Sequence, residues 1–129
     1  MAHVLLIDDD RELVEANRIA LEAEGHRVLV AYTGQEAWNL LEEASPDIVV
    51  LDVMMEEFTS GFEVAHDMGI KYPRIPIIIV SAVREQMHGD WQYAEGKDHD
   101  WLPIHRFLEK PVPPSRLCEE IESTLSSPL

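Results

Sequence analysis

Residues 48–52 read Ile-Val-Val-Leu-Asp, an apolar run that ends in a carboxylate. The same pattern recurs twice. Residues 4–7 are apolar and lead into Asp8, Asp9 and Asp10, and residues 107–108 lead into Glu109 and Lys110. If these runs are neighbouring parallel strands, their carboxyl ends bring several carboxylates and one ammonium group to one edge of a sheet. Such a cluster repels itself unless a cation lies in it, so the pattern predicts a divalent-metal site with a chemically active carboxylate.

Five apolar runs alternate with amphipathic stretches, which indicates an α/β fold. Continuous apolarity is typical of strands covered by helices on both faces. The amphipathic stretches carry helix signals: Asp10 as a cap, Gly25 as a stop, and capping boxes at residues 33–36 and 60–63. With right-handed crossovers, this order predicts a doubly wound, flavodoxin-like parallel sheet of five strands in the order 2-1-3-4-5. The runs are residues 4–7, 28–31, 48–51, 75–80 and 107–108, and the last helix begins near residues 113–114.

The predicted topology places three acids at the point where ligands bind. In a doubly wound sheet, ligands bind beyond the carboxyl ends of the first and third strands, where Asp8, Asp9 and Asp52 fall. Mg²⁺ takes hard oxygen ligands, usually one or two carboxylates with waters and a phosphate. Asp10 is explained as a helix cap, which leaves Asp8 and Asp9 without a structural duty. An acidic run alone is often only a solvated loop, so the prediction depends on the conjunction with Asp52.

Ser81 and Lys110 follow the fourth and fifth runs, so both are expected at the same edge. Ser81 alone has the ordinary interpretation of a turn residue or cap. The ordinary interpretation of Lys110 alone is an exposed lysine before a turn. Pro111 weakens this interpretation, because a proline here fixes the turn that directs the lysine side chain. Together with the acids they are candidate partners of a phosphoryl group. There is no Gly-x-Ser-x-Gly elbow and no glycine-rich loop after the first run, so a serine hydrolase or a nucleotide site is not predicted.

Length, charge and cysteine content restrict the class of protein. The 129 residues are enough for one domain, and the formal net charge of −15 makes nucleic acid and anionic membranes poor partners. Much of that charge is explained by solubility alone. Cys118 is the single cysteine, which excludes an internal disulfide and favours a small buried side chain. The first apolar run is too short for a signal peptide or membrane span, so we expect a cytoplasmic protein.

Four segments taken together resemble the receiver domain of two-component response regulators, the CheY-like family. They are Ile7-Asp8-Asp9-Asp10, Leu51-Asp52-Val53-Met54-Met55, Val80-Ser81-Ala82 and Glu109-Lys110-Pro111. The resemblance implies that Asp52 is the phosphoacceptor. It implies that Mg²⁺, or Mn²⁺, is held by Asp8, Asp9, Asp52 and the backbone carbonyl of Met54. It further implies that Ser81 and Lys110 contact the phosphoryl group, that Ser81 and Phe107 form the switch, and that the Lys110-Pro111 peptide is cis.

The resemblance also implies a function for the whole of residues 1–129 as a single receiver domain. Such a domain takes a phosphoryl group from a sensor histidine kinase or a histidine phosphotransfer protein. It then changes the surface formed by the family's fourth helix, fifth strand and fifth helix, the α4-β5-α5 face, where a downstream protein binds. It is a phosphoacceptor signalling domain that assists its own phosphorylation and dephosphorylation, and not a conventional enzyme. Whether it is free-standing or part of a longer regulator stays open.

Two alternatives remain at this point. A haloacid dehalogenase-type phosphatase also uses a strand-end aspartate and Mg²⁺, but it needs a second acid two residues later, where this chain has Met54. A pseudo-receiver that acts as a scaffold without phosphorylation would not need to keep all five site residues. The irregular segment after the fourth apolar run of this chain, residues 83–106, keeps the pseudo-receiver alternative open.

Two segments depart from the family pattern. Glu56 stands where many receivers have a proline, and the glycine that usually follows comes one residue late, as Gly61. We therefore expect residues 56–60 to form a longer and more acidic loop than is usual in the family. Residues 83–106 are long, polar and rich in histidine, and they lack the usual alanine-rich fourth helix. The simplest interpretation is a solvated loop. A partner-binding surface around Trp91 and Tyr93 is the second interpretation, and a further metal site is the third.

The positions two residues beyond Asp52 and Ser81 are Met54 and Val83, both apolar. Apolar side chains there neither orient nor admit a water molecule for attack on the acyl phosphate. We therefore predict a long-lived phosphoryl group, and a Met54→Asn variant should lose its phosphate faster. The rate of phosphate release from the isolated protein measures this, and equal rates in the two proteins would contradict it.

Overall fold

The computed structural model describes residues 2–52, 66–81, 106–109 and 112–126. Within these ranges, strands alternate with helices in the predicted order up to the fourth strand, and the residues between the fourth and fifth strands lie outside the described ranges. The strands are β1 (His3–Ile7), β2 (Arg27–Ala31), β3 (Ile48–Asp52), β4 (Ile77–Ser81) and β5 (Arg106–Glu109). The helices are α1 (Arg11–Ala23), α2 (Gly34–Ala44) and the C-terminal helix (Pro114–Ser126), and residues 66–71 are also helical.

The strands form one parallel sheet in the order β2-β1-β3-β4-β5, which confirms the predicted topology. Each strand differs from its predicted run by one or two residues, at one end or at both, and two of these differences concern residues discussed above. β4 begins at Ile77 and not at residue 75, because Pro76 has no N–H for the ladder, although its carbonyl accepts a hydrogen bond from the Val49 N–H at 3.0 Å. Arg106, assigned from sequence to the irregular segment, is the first residue of β5, where it pairs with Ile78.

The ends of the first two helices follow their sequence signals. The Asp10 carboxylate accepts a hydrogen bond from the Leu13 N–H at 3.1 Å and so caps α1. After α1, Gly25 adopts a φ of 91°, a left-handed conformation that favours glycine. At α2 the predicted capping box forms with one difference, since the return bond from Glu36 ends one residue before the cap. Thr33 accepts a hydrogen bond from the Glu36 N–H at 3.1 Å. The Glu36 carboxylate reaches back to the Tyr32 N–H at 2.7 Å. The second predicted box, at residues 60–63, lies outside the described residues.

Side chains from both faces of the sheet are buried, which explains the unbroken apolarity of the strands. One face packs against α2 and the helical residues 66–71, around Leu5, Leu51 and Ile79. The other packs against α1 and the C-terminal helix, around Leu6 and Val50. Each large aliphatic side chain buried in this way contributes about 1.5–3 kcal/mol relative to exposure. The two clusters therefore hold the strand ends in a fixed register.

The C-terminal helix buries a slightly different stripe from the one expected. Leu117, Cys118 and Ile121 are buried as predicted, but Leu125 is 37% exposed and Thr124 is buried in its place. With 3.6 residues per turn, residue 124 lies close to 117 and residue 125 lies between 121 and 118, so helical periodicity alone does not decide which of the two is buried. The Thr124 hydroxyl donates to the Glu120 carbonyl at 2.7 Å, so its polar group has a partner within the helix.

Cys118 is a buried side chain, as its position in the sequence predicted. Burial, together with a hydrogen bond to Glu122, raises the pKa of its thiol from 9.0 to about 11. Since the thiolate is the nucleophile, the native protein should react with iodoacetamide at pH 8 about 100-fold more slowly than the urea-unfolded chain. The native rate should keep rising up to pH 11. A native rate that levels off below pH 9 would contradict this environment.

Candidate functional site

The site lies at the carboxyl edge of the sheet, between β1 and β3. These strands are hydrogen-bonded neighbours with Ile7 opposite Leu51, so Asp8 and Asp52 follow at the same level. Asp52 is still part of β3, where it pairs with Val80 of β4. This is the topological switch point of the sheet, because the chain leaves β1 for β2 on one side and reaches β3 on the other. The parallel register alone therefore brings the two acids together.

Asp8, Asp9 and Asp52 form a compact group of carboxylates. Each offers an oxygen, and these oxygens all lie within 4.8 Å of one another. Asp8 and Asp52 are 8% and 4% exposed, whereas Asp9 faces solvent. Two of the three charges are thus removed from water while they are close to like charges, which is costly unless a cation or a proton compensates. The group also supplies the hard oxygen donors that Mg²⁺ prefers, so the donor set fits that ion.

Asp8 has a structural duty that the sequence did not reveal. One of its carboxylate oxygens accepts a hydrogen bond from the Asp10 N–H at 2.9 Å, and its own N–H donates to the Ala31 carbonyl at 3.1 Å. The expectation that only Asp10 has a structural role is therefore wrong. The Asp8 carboxylate stabilises the turn after β1 through the Asp10 N–H, and this turn places the Asp10 carboxylate at the start of α1, where it caps the helix.

The backbone brings two further predicted site residues to this edge. Ser81 ends β4 opposite Glu109, one step beyond the pair formed by Asp52 and Val80. Phe107 lies in β5 opposite Ile79. Met54, Lys110, Pro111 and the segments 56–60 and 83–105 lie outside the described residues. The roles of Ser81, Phe107, Lys110 and Met54 stay predictions.

A cation–π contact beside the site was missed from the sequence. The Arg11 guanidinium lies over the Tyr32 ring, 3.9 Å from its centroid, and joins the start of α1 to the end of β2. Because the two residues are far apart in the chain, no local pattern indicates the contact. It places a positive charge next to the residues that follow β1.

A second group of possible ligands lies at the opposite edge of the sheet. His26, Cys118 and Glu122 also bring their ligand atoms within 4.8 Å of one another. However, His26 Nδ1 accepts a hydrogen bond from the Ala2 N–H at 3.0 Å, so its Nε2 carries the proton and donates to Glu122 at 3.1 Å. This hydrogen bond holds the pKa of Glu122 below its ordinary value. In this tautomer Nε2 has no lone pair for a metal. The three residues therefore connect the start of β2 to the C-terminal helix through hydrogen bonds.

None of the helices in the described part of the chain is long and apolar enough to cross a membrane.

Known proteins with similar sequences are response regulators. Response regulator GtcR of Aneurinibacillus migulanus is 29% identical over 122 residues, which cover 95% of this chain and 47% of that protein. Response regulator SaeR of Staphylococcus aureus is 29% identical over 126 residues, which cover 98% and 51%. The chain thus spans about half the length of these relatives.

Solved structures with the same fold include a CheY-like response regulator receiver domain protein from Methanospirillum hungatei. Its TM-score is 0.82 at 22% identity, over 97% of this chain and 94% of that one. A response regulator from Thermotoga maritima gives 0.79 at 23% identity, over 97% and 98%. The family model described as the response regulator receiver domain matches residues 4–122. This chain therefore belongs to the family of response regulator receiver domains, the signalling domains of two-component phosphorelays.

Proposed function

We propose that residues 1–129 form a single receiver domain that accepts a phosphoryl group on Asp52. The observation that carries this proposal is the convergence of Asp8, Asp9 and Asp52 within 4.8 Å at the switch point of the sheet. Asp52 is the best candidate nucleophile in this group, because it ends the buried strand β3 and is the most buried of the three acids. Membership of the receiver family supports the same assignment.

The proposed metal ligands are Asp8, Asp9, Asp52 and the backbone carbonyl of Met54. Bound Mg²⁺, or Mn²⁺, supplies positive charge beside the oxygens of the transferred group. Carboxylates without such charge would repel an incoming phosphate. The acidic group therefore serves as a phosphate site only when a cation is held in it, which makes phosphorylation dependent on the metal.

The proposed reaction is transfer of a phosphoryl group from a phosphohistidine. An Asp52 carboxylate oxygen forms a bond to phosphorus as the P–N bond breaks. The electron pair of that bond returns to the imidazole nitrogen, which takes up a proton. Ser81 and Lys110 contact the phosphoryl oxygens in this scheme. Positioning and charge neutralisation are the main requirements of such a transfer, so a carboxylate is an adequate nucleophile.

The proposed donors are a sensor histidine kinase or a histidine phosphotransfer protein. In the phosphorylated state the Ser81 hydroxyl moves toward the phosphoryl group and Phe107 turns into the space that it leaves. The surface of the fourth helix, fifth strand and fifth helix of the family fold then changes, and a downstream protein binds there. This is a population shift between two packings of one fold. The domain is a phosphoacceptor. The dehalogenase-type phosphatase is disfavoured, because Met54 stands where that class needs its second acid.

Asp52→Asn should abolish phosphorylation. An amide oxygen cannot form the acyl phosphate, so incubation with Mg²⁺ and acetyl phosphate should give a stoichiometric adduct on the wild type and none on the variant, as measured by intact-protein mass spectrometry. EDTA should suppress the wild-type adduct. Asp10→Asn is the matched control, because asparagine also caps helices and Asp10 is outside the carboxylate group. An adduct on Asp52→Asn, or none on the wild type, would refute the proposal.

Mg²⁺ affinity should distinguish the neighbouring acids Asp9 and Asp10. Both belong to the same acidic run, but the Asp10 carboxylate is committed to the Leu13 N–H. Asp9→Asn should weaken Mg²⁺ binding about tenfold or more, since a charge is removed close to the ion. Asp10→Asn should change it by no more than about threefold, because its charge lies farther away. Isothermal titration calorimetry measures both, and equal losses would show that only net charge matters.

A further inference from the structure

Arg11 begins α1 at the carboxyl edge of the sheet, and the proposed function does not use it. Its guanidinium lies 3.9 Å from the centroid of the Tyr32 ring. The Asp8 N–H donates to the Ala31 carbonyl, so Tyr32 follows β2 directly beside the first acid of the site. Adjacent strands are about 4.8 Å apart, and this spacing brings the Tyr32 position close to the carboxylate group. The cation that contacts its ring therefore belongs to the surroundings of that group.

An aromatic ring, and not a carboxylate, holds the Arg11 guanidinium. Within the described part of the chain it has no ion pair and no hydrogen bond, although acids stand on both sides of it in the sequence. Arg18 of the same helix behaves differently, because it pairs with Glu15 and Glu22. A ring face attracts the charge of a cation but offers no strong acceptor, so the N–H donors of Arg11 stay available to an anion.

Helix stability gives no reason for a positive charge at this position. The N-terminus of a helix is the positive end of its dipole, so a cation in the first turn of α1 is unfavourable. The cation–π contact of an exposed side chain is of similar size and only offsets that cost. The charge of Arg11 is therefore better explained by something that binds near the start of the helix.

The electrostatics of the site call for such a charge. The chain has a formal net charge of −15, and three carboxylates meet at the site. Both repel a dianionic phosphoryl group, and one Mg²⁺ compensates only part of the charge of three carboxylates. A guanidinium binds phosphoryl oxygens through paired hydrogen bonds. Arg11 is exposed, as Asp9 is, so it is accessible to a phosphodonor that arrives from solvent.

We propose that Arg11, held over the Tyr32 ring, binds the dianionic phosphodonor as it approaches the acidic site. Its guanidinium contacts oxygens of the phosphoryl group before an Asp52 oxygen attacks phosphorus. With an acyl phosphate such as acetyl phosphate, the new O–P bond forms as the P–O bond to the acyl group breaks, and acetate leaves with that electron pair. The inference rests on the proposed phosphorylation of Asp52, since it adds a residue to that reaction.

Arg11→Gln tests the proposal, because glutamine suits a helix and carries no charge. The rate of adduct formation with subsaturating acetyl phosphate, at saturating Mg²⁺ and followed by intact-protein mass spectrometry, should fall about fivefold. The Mg²⁺ affinity, measured by isothermal titration calorimetry, should not fall and should rise about twofold, since a nearby positive charge is removed. Damage to the fold or to the site would lower both quantities, so the two measurements together separate binding of the donor from a structural role.

Arg18→Gln is the matched control. It removes the same charge from α1 about two helical turns farther from the site, so its rate and its Mg²⁺ affinity should stay within about twofold of the wild type. Tyr32→Leu removes the ring that holds the guanidinium and should slow the reaction about twofold or more. The double variant Arg11→Gln, Tyr32→Leu should react no more slowly than Arg11→Gln alone, because the ring acts only through the arginine.

The proposal is overturned if Arg11→Gln reacts at the wild-type rate, if its Mg²⁺ affinity falls together with the rate, or if Arg18→Gln slows the reaction as much. The part assigned to Tyr32 is overturned if Tyr32→Leu keeps the wild-type rate, or if the double variant is slower than Arg11→Gln. A wild type that forms no adduct refutes the proposed function itself. A normal wild-type adduct with an unaffected Arg11→Gln refutes only the role of Arg11.

Discussion

Three carboxylates within 4.8 Å of one another repel, and the surrounding fold is what holds them at that distance. Two unit charges 4 Å apart near a protein surface interact by about 4 kcal/mol, which is comparable with the whole stability of an ordinary domain. The group is nevertheless placed by elements that cannot move independently, because Asp8 and Asp52 follow paired strands whose side chains are buried on both faces. Hydrophobic packing thus holds the three acids close together at the proposed cation site.

The layer formed by α1 and the C-terminal helix connects both ends of the sheet. At the carboxyl edge Asn17 and Leu117 of this layer line a small pocket together with Asp8 and Asp52. At the amino edge it contributes Glu122, which accepts the hydrogen bond from His26. A charged site at one end and a buried histidine at the other therefore share one helical pair. A change in the packing of α1 against the C-terminal helix would therefore alter the surroundings of both the acids and His26.

Much of the fold was predictable because it depends on neighbours along the chain. The Thr33 to Glu36 capping box, the Asp10 cap and the Gly25 stop are local hydrogen-bonding and backbone preferences, and the structure contains all three. The strand order followed from handedness and from unbroken apolar runs. Two predictions were wrong for identifiable reasons. Helical periodicity gives a near-equal choice between Thr124 and Leu125 as the buried residue, and the start of β4 was placed too early because Pro76 has no N–H for the strand ladder. Asp8 was underestimated because an acid can hold a turn and belong to a site at once.

The sequence by itself determined which acids stand at strand ends, because a strand is read from a short apolar run and its end from the residue that follows. It also identified the family through four short segments in order. Only the tertiary structure decided that Asp8, Asp9 and Asp52 meet within 4.8 Å and that His26 pairs with a residue 96 positions away. The reason is physical: these relations depend on sheet register and on the packing of distant helices, and no local preference encodes either.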